Sequence, residues 1–317
     1  MDIAMNQLTP WNYTLRDGVV IRGHRTEPTG KPVIHFLHGT GLSGLTYWPM
    51  LSALTDEFDI FIQDVQGHGD SDSGDRFWGW DNNAAVCREV WQSFSDDYRG
   101  CTKIGMGHSF GGILTLLMQD QDAALFDRLV LLDPVIFPPV AMFAIGLLYP
   151  IGFTNINPLV NSSLNRRNGW SSYGEALNYF SGRGMFKYWD PSAVRAYVDY
   201  ALAYDNCGQV TLKCDPTRES EVFGTAPKRI WRPINKIDVK TTILYGEQSY
   251  WFVKKSMKRL TSKGEPFDIV NLKGGHCFMQ EAPEDTAIII KDRIHSSFEG
   301  NISTDMNISQ PEATSHC

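Results

Sequence analysis

Short apolar runs with almost no polar interruption recur along the first part of the chain, at 33–37, 58–63, 103–106 and 129–132. Runs of this length without alternation predict strands buried on both faces. Between them lie stretches of helical length or spacing, at 45–54, after Asp81, and at 112–118. Asp81 is the expected N-cap of the second, in which Ala85, Val86, Val90, Trp91 and Phe94 share one helical face. Strands alternating with helices predict a mainly parallel sheet covered on both sides. Upstream, the extended runs 13–16 and 19–24 flank Asp17-Gly18, a dipeptide that tolerates positive φ, so the chain is expected to start with an antiparallel hairpin.

The alternation stops at about Phe137 and resumes after Asn235. The intervening stretch has prolines, Asn-rich loops and many aromatics. Ala193, Tyr197, Tyr200 and Tyr204 recur at helical spacing, which predicts a helical insertion without strand-helix alternation. Its aromatics, Trp170 and Trp189 among them, would either line a pocket for an apolar group or pack the insertion against the core. The most apolar run, 140–153, is too short for a bilayer span and contains Pro150, so it is read as a buried or pocket-lining helix. Strands at 241–245 and 267–272, a helix at 252–260 and a last helix at 283–298 complete the pattern, and the polar stretch that follows predicts a disordered tail. The expected division is a core over 1–136, an insertion over 137–235, the remainder of the core over 236–298, and a tail over 299–317.

Composition narrows the function. With 317 residues, 42% of them hydrophobic and 21% charged, the chain can bury a large core. A net charge of −7, with both signs interspersed, provides neither a basic face for nucleic acid nor a polybasic membrane anchor. No transmembrane segment is expected, and a small-molecule substrate is the expected partner. Six cysteines form no C-x-x-C pair and no metal-ligand spacing, and residues 1–6 have no basic segment leading into an apolar core. Reduced thiols and the absence of a secretory signal give cytoplasm as the expected location. Neither H-E-x-x-H nor a paired-carboxylate spacing appears, so no metal and no cofactor are expected.

The chemistry concentrates in three short motifs. Gly107-His108-Ser109-Phe110-Gly111 joins a predicted strand to a predicted helix, and glycines two before and two after a serine are what a sharp, strained strand-to-helix turn requires. The run 33–37 ends in His38-Gly39-Thr40-Gly41, which lacks the lysine of a phosphate-cradling P-loop and is not a dinucleotide G-x-G-x-x-G. Late in the chain, Gly274-Gly275-His276 follows the last predicted strand. The remaining histidines are assigned bland roles, with His38, His68 and His108 expected to hold backbone and His35 to lie within a strand.

In this order, with a helical insertion after the sixth strand, these motifs resemble the α/β-hydrolase superfamily over residues 13–298 apart from the insertion. The resemblance implies an α/β fold with an eight-stranded, mostly parallel sheet and a helical cap over the strands' C-terminal edge. It implies Ser109 as nucleophile, His276 as general base, and the backbone N–H groups of Thr40 and Phe110 as the oxyanion hole. The triad acid stays open. The turn after the seventh strand, where most of the superfamily carries it, reads Gly246-Glu247-Gln248-Ser249-Tyr250, with serine at the position expected to be aspartate. The candidates are Asp133, at the end of the sixth strand and expected to be extended because Pro134 follows, and Glu247. Serine rather than aspartate at the elbow argues for acyl transfer to water, most simply hydrolysis of an apolar carboxylic ester. The rival readings are a C–C bond hydrolase, a cofactor-free perhydrolase, and a non-catalytic ligand-binding protein of the same fold.

Overall fold

The computed structural model describes residues 7–148, 157–227 and 229–302. Eight strands form one sheet: β1 (Leu8–Thr14), β2 (Val20–Thr26), β3 (Val33–Leu37), β4 (Asp59–Gln63), β5 (Lys103–His108), β6 (Arg128–Leu132), β9 (Lys240–Gly246) and β10 (Phe267–Leu272). Two further strands, β7 (Leu202–Tyr204) and β8 (Val210–Leu212), pair separately. The main sheet runs β1-β2-β4-β3-β5-β6-β9-β10, antiparallel at β1/β2 and β2/β4 and parallel everywhere else. This is the expected eight-stranded, mostly parallel sheet.

Period-2 alternation explains why the inner strands are apolar throughout. In β3, Ile34 and Phe36 join one core while Val33 and Leu37 join the other. Ile60 and Ile62 of β4 face the first core and Phe61 the second, and Val130 and Leu132 of β6 are divided from Leu129 and Leu131 in the same way. Both faces are therefore dry, and a single polar residue such as His35 must find its partner inside, in Gln63 at 3.1 Å.

Several local expectations change. The stretch 45–54 is not one helix but short helical turns, at Gly44–Tyr47, Trp48–Leu51 and Ser52–Leu54. The helix Trp80–Ser93 starts one residue before Asp81, capped at Gly79 with φ 85°, so Asp81 sits in the first turn beside the helix dipole rather than at the cap. Its buried face is Trp80, Asn83, Ala84, Cys87, Val90 and Trp91, rotated from the predicted one and sharing Val90 and Trp91 with it.

Between β6 and β9 the α-helices among the described residues are Pro139–Leu148, Pro158–Leu164, Tyr173–Phe180, Pro191–Tyr200, Pro216–Phe223 and Trp231–Lys236. Three begin with the same device: Asn157, Asp190 or Asp215 accepts a backbone N–H two residues on, and the proline between them occupies the first helical position. The segment is not strand-free. Tyr204 lies in β7 of a small hairpin, outside the helix that ends at Tyr200, and Trp170 pairs with Val210. Trp170 and Trp189, 3% and 6% exposed, pack with Phe180, Phe186 and Tyr197, and this aromatic group is continuous with the core on the Ile34/Phe36 face of the sheet. They are packing residues there, which decides the alternative left open by the sequence. In the helix Pro139–Leu148, Val140 and Phe143 are 76% and 70% exposed, against the expected burial of the apolar run, whose residues 149–153 lie outside the described residues. The last helix continues from Pro283 to Ile302, past the expected start of the tail, and residues 303–317 lie outside the described residues.

Candidate active site

Ser109 sits where β5 ends and the helix Phe110–Gln121 begins, with φ 53° and ψ −112°. A side chain with positive φ is strained, and the surrounding contacts hold it there: Ser109 N–H donates to Leu132 O at 3.0 Å and Gly111 N–H to His38 O at 3.1 Å. The glycine spacing follows from close approach. A Cβ on Gly107 would stand 2.4 Å from Gly111 O, and one on Gly111 would stand 2.2 Å from Leu37 O.

The turn brings Ser109 Oγ within 2.9 Å of His276 Nε2, and His276 Nδ1 lies 3.2 Å from Asp133 Oδ1. His276 reaches this point from the loop after β10, where Gly275 N–H donates to Glu281 Oε1 at 3.0 Å. Asp133 is wholly buried at the end of β6, beside β5. Its backbone is not extended: φ is 42°, with the N–H donating to Leu244 O at 2.7 Å. That turn directs the carboxylate across the strand ends, where Oδ2 accepts Gly246 N–H at 2.9 Å and Oδ1 accepts Ser249 Oγ–H at 2.6 Å. These contacts outweigh the preference that Pro134 imposes. Of the two acids considered, only Asp133 meets His276; Glu247 is exposed, and among the described residues no hydrogen bond joins it to the histidine.

Thr40 follows β3 and Phe110 follows Ser109. Neither backbone N–H donates to another group among the described residues, the state required of an oxyanion hole. The histidines of the motif loops do hold backbone. His38 Nδ1–H donates to Gly39 O at 2.9 Å while its Nε2 accepts Val65 N–H at 2.9 Å, and His68 Nδ1–H donates to Gln66 O at 3.0 Å. Burial disfavours their charged forms, taking His35 and His38 down to about 4 and His68 to about 3.

Other contacts had no counterpart in the sequence reading. Ser249, read as a missing aspartate, binds the aspartate instead. Tyr250 places its ring 4.9 Å from that of His276 and stacks on Phe252, which stacks on Phe137. Arg166 and Glu219 form a 2.7 Å ion pair, Arg166 also donates to Tyr197 OH at 3.1 Å, and a Cβ on Gly41 would meet Glu219 Oε1 at 2.6 Å. The segment after β6 therefore rests a charged pair on the loop that carries Thr40. A cleft of about 580 Å³, lined by Trp48, Asp190, Arg195 and Glu281 among others, opens elsewhere and includes neither Ser109 nor His276. No group of three or more His, Cys, Asp or Glu among the described residues is arranged to hold a metal ion. No helix among them is long and apolar enough to cross a membrane.

Solved structures share this architecture at low identity. The peroxisomal α/β-hydrolase Lpx1 of Saccharomyces cerevisiae superposes with a TM-score of 0.71 at 17% identity, covering 97% of this chain and 92% of that one. E-2-(acetamidomethylene)succinate hydrolase gives 0.68 at 17% identity, covering 91% and 99%, and the thioesterase domain of the curacin biosynthetic pathway gives 0.69 at 18%, covering 89% and 99%. No curated protein matches by sequence. Residues 36–288 match the sequence profile of the α/β-hydrolase family, and with the sheet order and the strand-turn-helix at Ser109 this establishes that the chain belongs to that family.

Proposed function

We propose that the protein is a serine hydrolase that cleaves carboxylic esters through an acyl-enzyme on Ser109. The observation that carries this reading is the continuous relay from Ser109 Oγ through His276 to Asp133, at 2.9 and 3.2 Å, beside the backbone amides of Thr40 and Phe110, which donate to no other group among the described residues.

With Asp133 accepting from Nδ1–H, the neutral His276 keeps Nε2 free to take the Ser109 proton. Ser109 Oγ then attacks the ester carbonyl, and the negative charge that develops on its oxygen falls to the N–H groups of Thr40 and Phe110. The imidazolium, balanced by the buried Asp133 carboxylate, returns its proton to the departing alkoxide. Water attacks the acyl-enzyme in the second half, His276 again taking the proton, and Ser109 is regenerated with release of the acid. The segment between β6 and β9 serves as a cap, resting on the oxyanion loop through Arg166 and Glu219. The aromatic wall of Tyr250, Phe252 and Phe137 beside His276 favours an apolar group on the substrate. Free thiols at Cys87, Cys101, Cys207, Cys214 and Cys277 fit a reducing compartment such as the cytoplasm.

The test is a p-nitrophenyl ester series, acetyl to long acyl, together with a fluorophosphonate probe, on the wild type and on Ser109→Ala. Turnover and covalent labelling by the wild type, both abolished in the variant, are expected. Labelling that persists on another serine, or turnover that survives the substitution, would overturn the assignment.

A further inference from the structure

We propose that Tyr47 and His108 are positioning residues, forming one directed chain of hydrogen bonds that fixes the oxyanion loop against the loop carrying His276. The proposal rests on the serine-hydrolase reading and adds residues that the relay itself does not contain.

The chain can be followed atom by atom. Gly39 N–H donates to Tyr47 OH at 3.1 Å, Tyr47 OH lies 2.5 Å from His108 Nδ1, and His108 Nε2 lies 3.0 Å from the backbone oxygen of His276. A carbonyl can only accept, so Nε2 carries the imidazole proton and Nδ1 must accept; Tyr47 therefore donates its hydroxyl proton to Nδ1 and accepts from Gly39. Only one arrangement of protons satisfies every group.

Burial keeps that arrangement in place. Tyr47 is 0% exposed and His108 1%. Desolvation, with His276 nearby, holds His108 well below the usual histidine range, so it stays neutral where the enzyme would work. The Tyr47 phenol is pushed up by burial and remains protonated. Space is equally constrained, since a Cβ on Gly39 would come within 2.7 Å of His108 Nδ1.

The ends of the chain explain what it does. Gly39 directly precedes Thr40, whose amide is one proposed oxyanion donor, so anchoring Gly39 N–H fixes the peptide before the one that carries this donor, which His38 Nδ1–H holds in turn through Gly39 O. The other end holds the backbone of the residue whose Nε2 lies 2.9 Å from Ser109 Oγ. His108 itself directly precedes Ser109. One pair of buried side chains thus ties together the loops after β3, β5 and β10, which share no covalent link shorter than the strands and helices between them. Misplacement by about 1 Å at such a site is worth roughly a hundredfold in rate.

The experiment compares Tyr47→Phe, His108→Gln and the double variant with the wild type. Readouts are kcat and KM on a p-nitrophenyl ester, affinity for a trifluoromethyl ketone, and melting temperature, each referred to sites titrated with a fluorophosphonate. Either single variant is expected to lose kcat by about 10- to 100-fold, with KM little changed and ketone affinity falling in parallel. The double variant should be no worse than the weaker single, because a chain broken once is already broken. Unchanged kcat and ketone affinity per titrated site in both singles, or losses that multiply in the double, would overturn the proposal. If Tyr47→Phe does not fold, His108→Gln and His108→Asn carry the comparison, since glutamine keeps a donor near the Nε2 position and asparagine an acceptor near Nδ1. A separate arm reads the His108 tautomer by ¹⁵N-histidine NMR: protonation at Nδ1 overturns the chain whatever the turnover. A wild type that neither turns over nor labels refutes the serine-hydrolase reading, a result distinct from either of these.

Discussion

At Asp133, one carboxylate accepts from His276, Ser249 and Gly246 N–H. On the proposed mechanism this side chain selects the histidine tautomer, and Asp133→Asn is expected to lower kcat on the order of a thousandfold or more, measured on folded enzyme. Glu247→Gln should leave kcat unchanged. Ser249→Ala removes a hydrogen bond to a charged group and is expected to cost about tenfold. Because Ser249 Oγ already lies 2.6 Å from the oxygen that meets His276, an aspartate at 249 can present its own carboxylate there. Asp133→Asn/Ser249→Asp is therefore expected to recover about tenfold or more of the activity lost in Asp133→Asn. A double variant as inactive as the single would show that the second strand end cannot supply the acid.

At the level of elements, the turn at Ser109 depends on backbone meeting backbone. Gly111→Ala would drive a Cβ into Leu37 O, a strand carbonyl that cannot rotate away, and is expected to destabilise the fold by about 3 kcal/mol or more in urea unfolding. The segment after β6 makes a different prediction. Trp170 and Trp189 are buried in the core that this segment shares with one face of the sheet, so Trp170→Ala or Trp189→Ala should lower stability by about 3–5 kcal/mol and scale the rates of all esters alike. Tyr250, 42% exposed beside His276, should instead alter relative rates among esters of different size when replaced by alanine. A ranking of substrates changed by the tryptophans and indifferent to Tyr250 would reverse these assignments.

For the whole molecule, the buried histidines set a pH dependence of stability. His35, His38 and His68 fold with values of about 4, 4 and 3, below the ordinary histidine value near 6.5, and His108 is lowered in the same direction. The unfolded chain thus binds more protons than the folded one between the two values. The stabilisation from keeping these rings neutral is fully present above about pH 6.5 and is lost as pH falls towards 4. Asp64, raised by burial, acts in the opposite sense, but it is one group against five, since burial lowers His24 as well. The unfolding free energy from urea titration is expected to fall steeply between pH 6.5 and 4.5, by on the order of several kcal/mol in total, and the urea midpoint falls with it. A flat midpoint across that interval would mean that these rings are charged or solvated in the folded protein.

Much of this was legible in the chain because it rests on short-range patterns. A strand dry on both faces is apolar at nearly every position, so β3 is legible from its residues alone, and a serine flanked by glycines announces its own bend. The sequential order of Ser109, the insertion and His276 was equally readable. What required the folded chain were the contacts between elements. Asp133 and His276 are 143 residues apart, and whether the carboxylate that meets His276 comes from β6 or from the turn after β9 depends on a positive φ at Asp133 and on Ser249 and Gly246 drawing its carboxylate across the strand ends. Trp170 and Trp189 could have lined a pocket or filled a core, since an aromatic ring suits both. Tyr47 and His108 carried no motif that links them, 61 positions apart, until the parallel neighbours β3 and β5 set their loops side by side. Local periodicity is written in adjacent residues, whereas the partner of a buried polar atom is chosen by whichever strand end or loop the sheet places next to it.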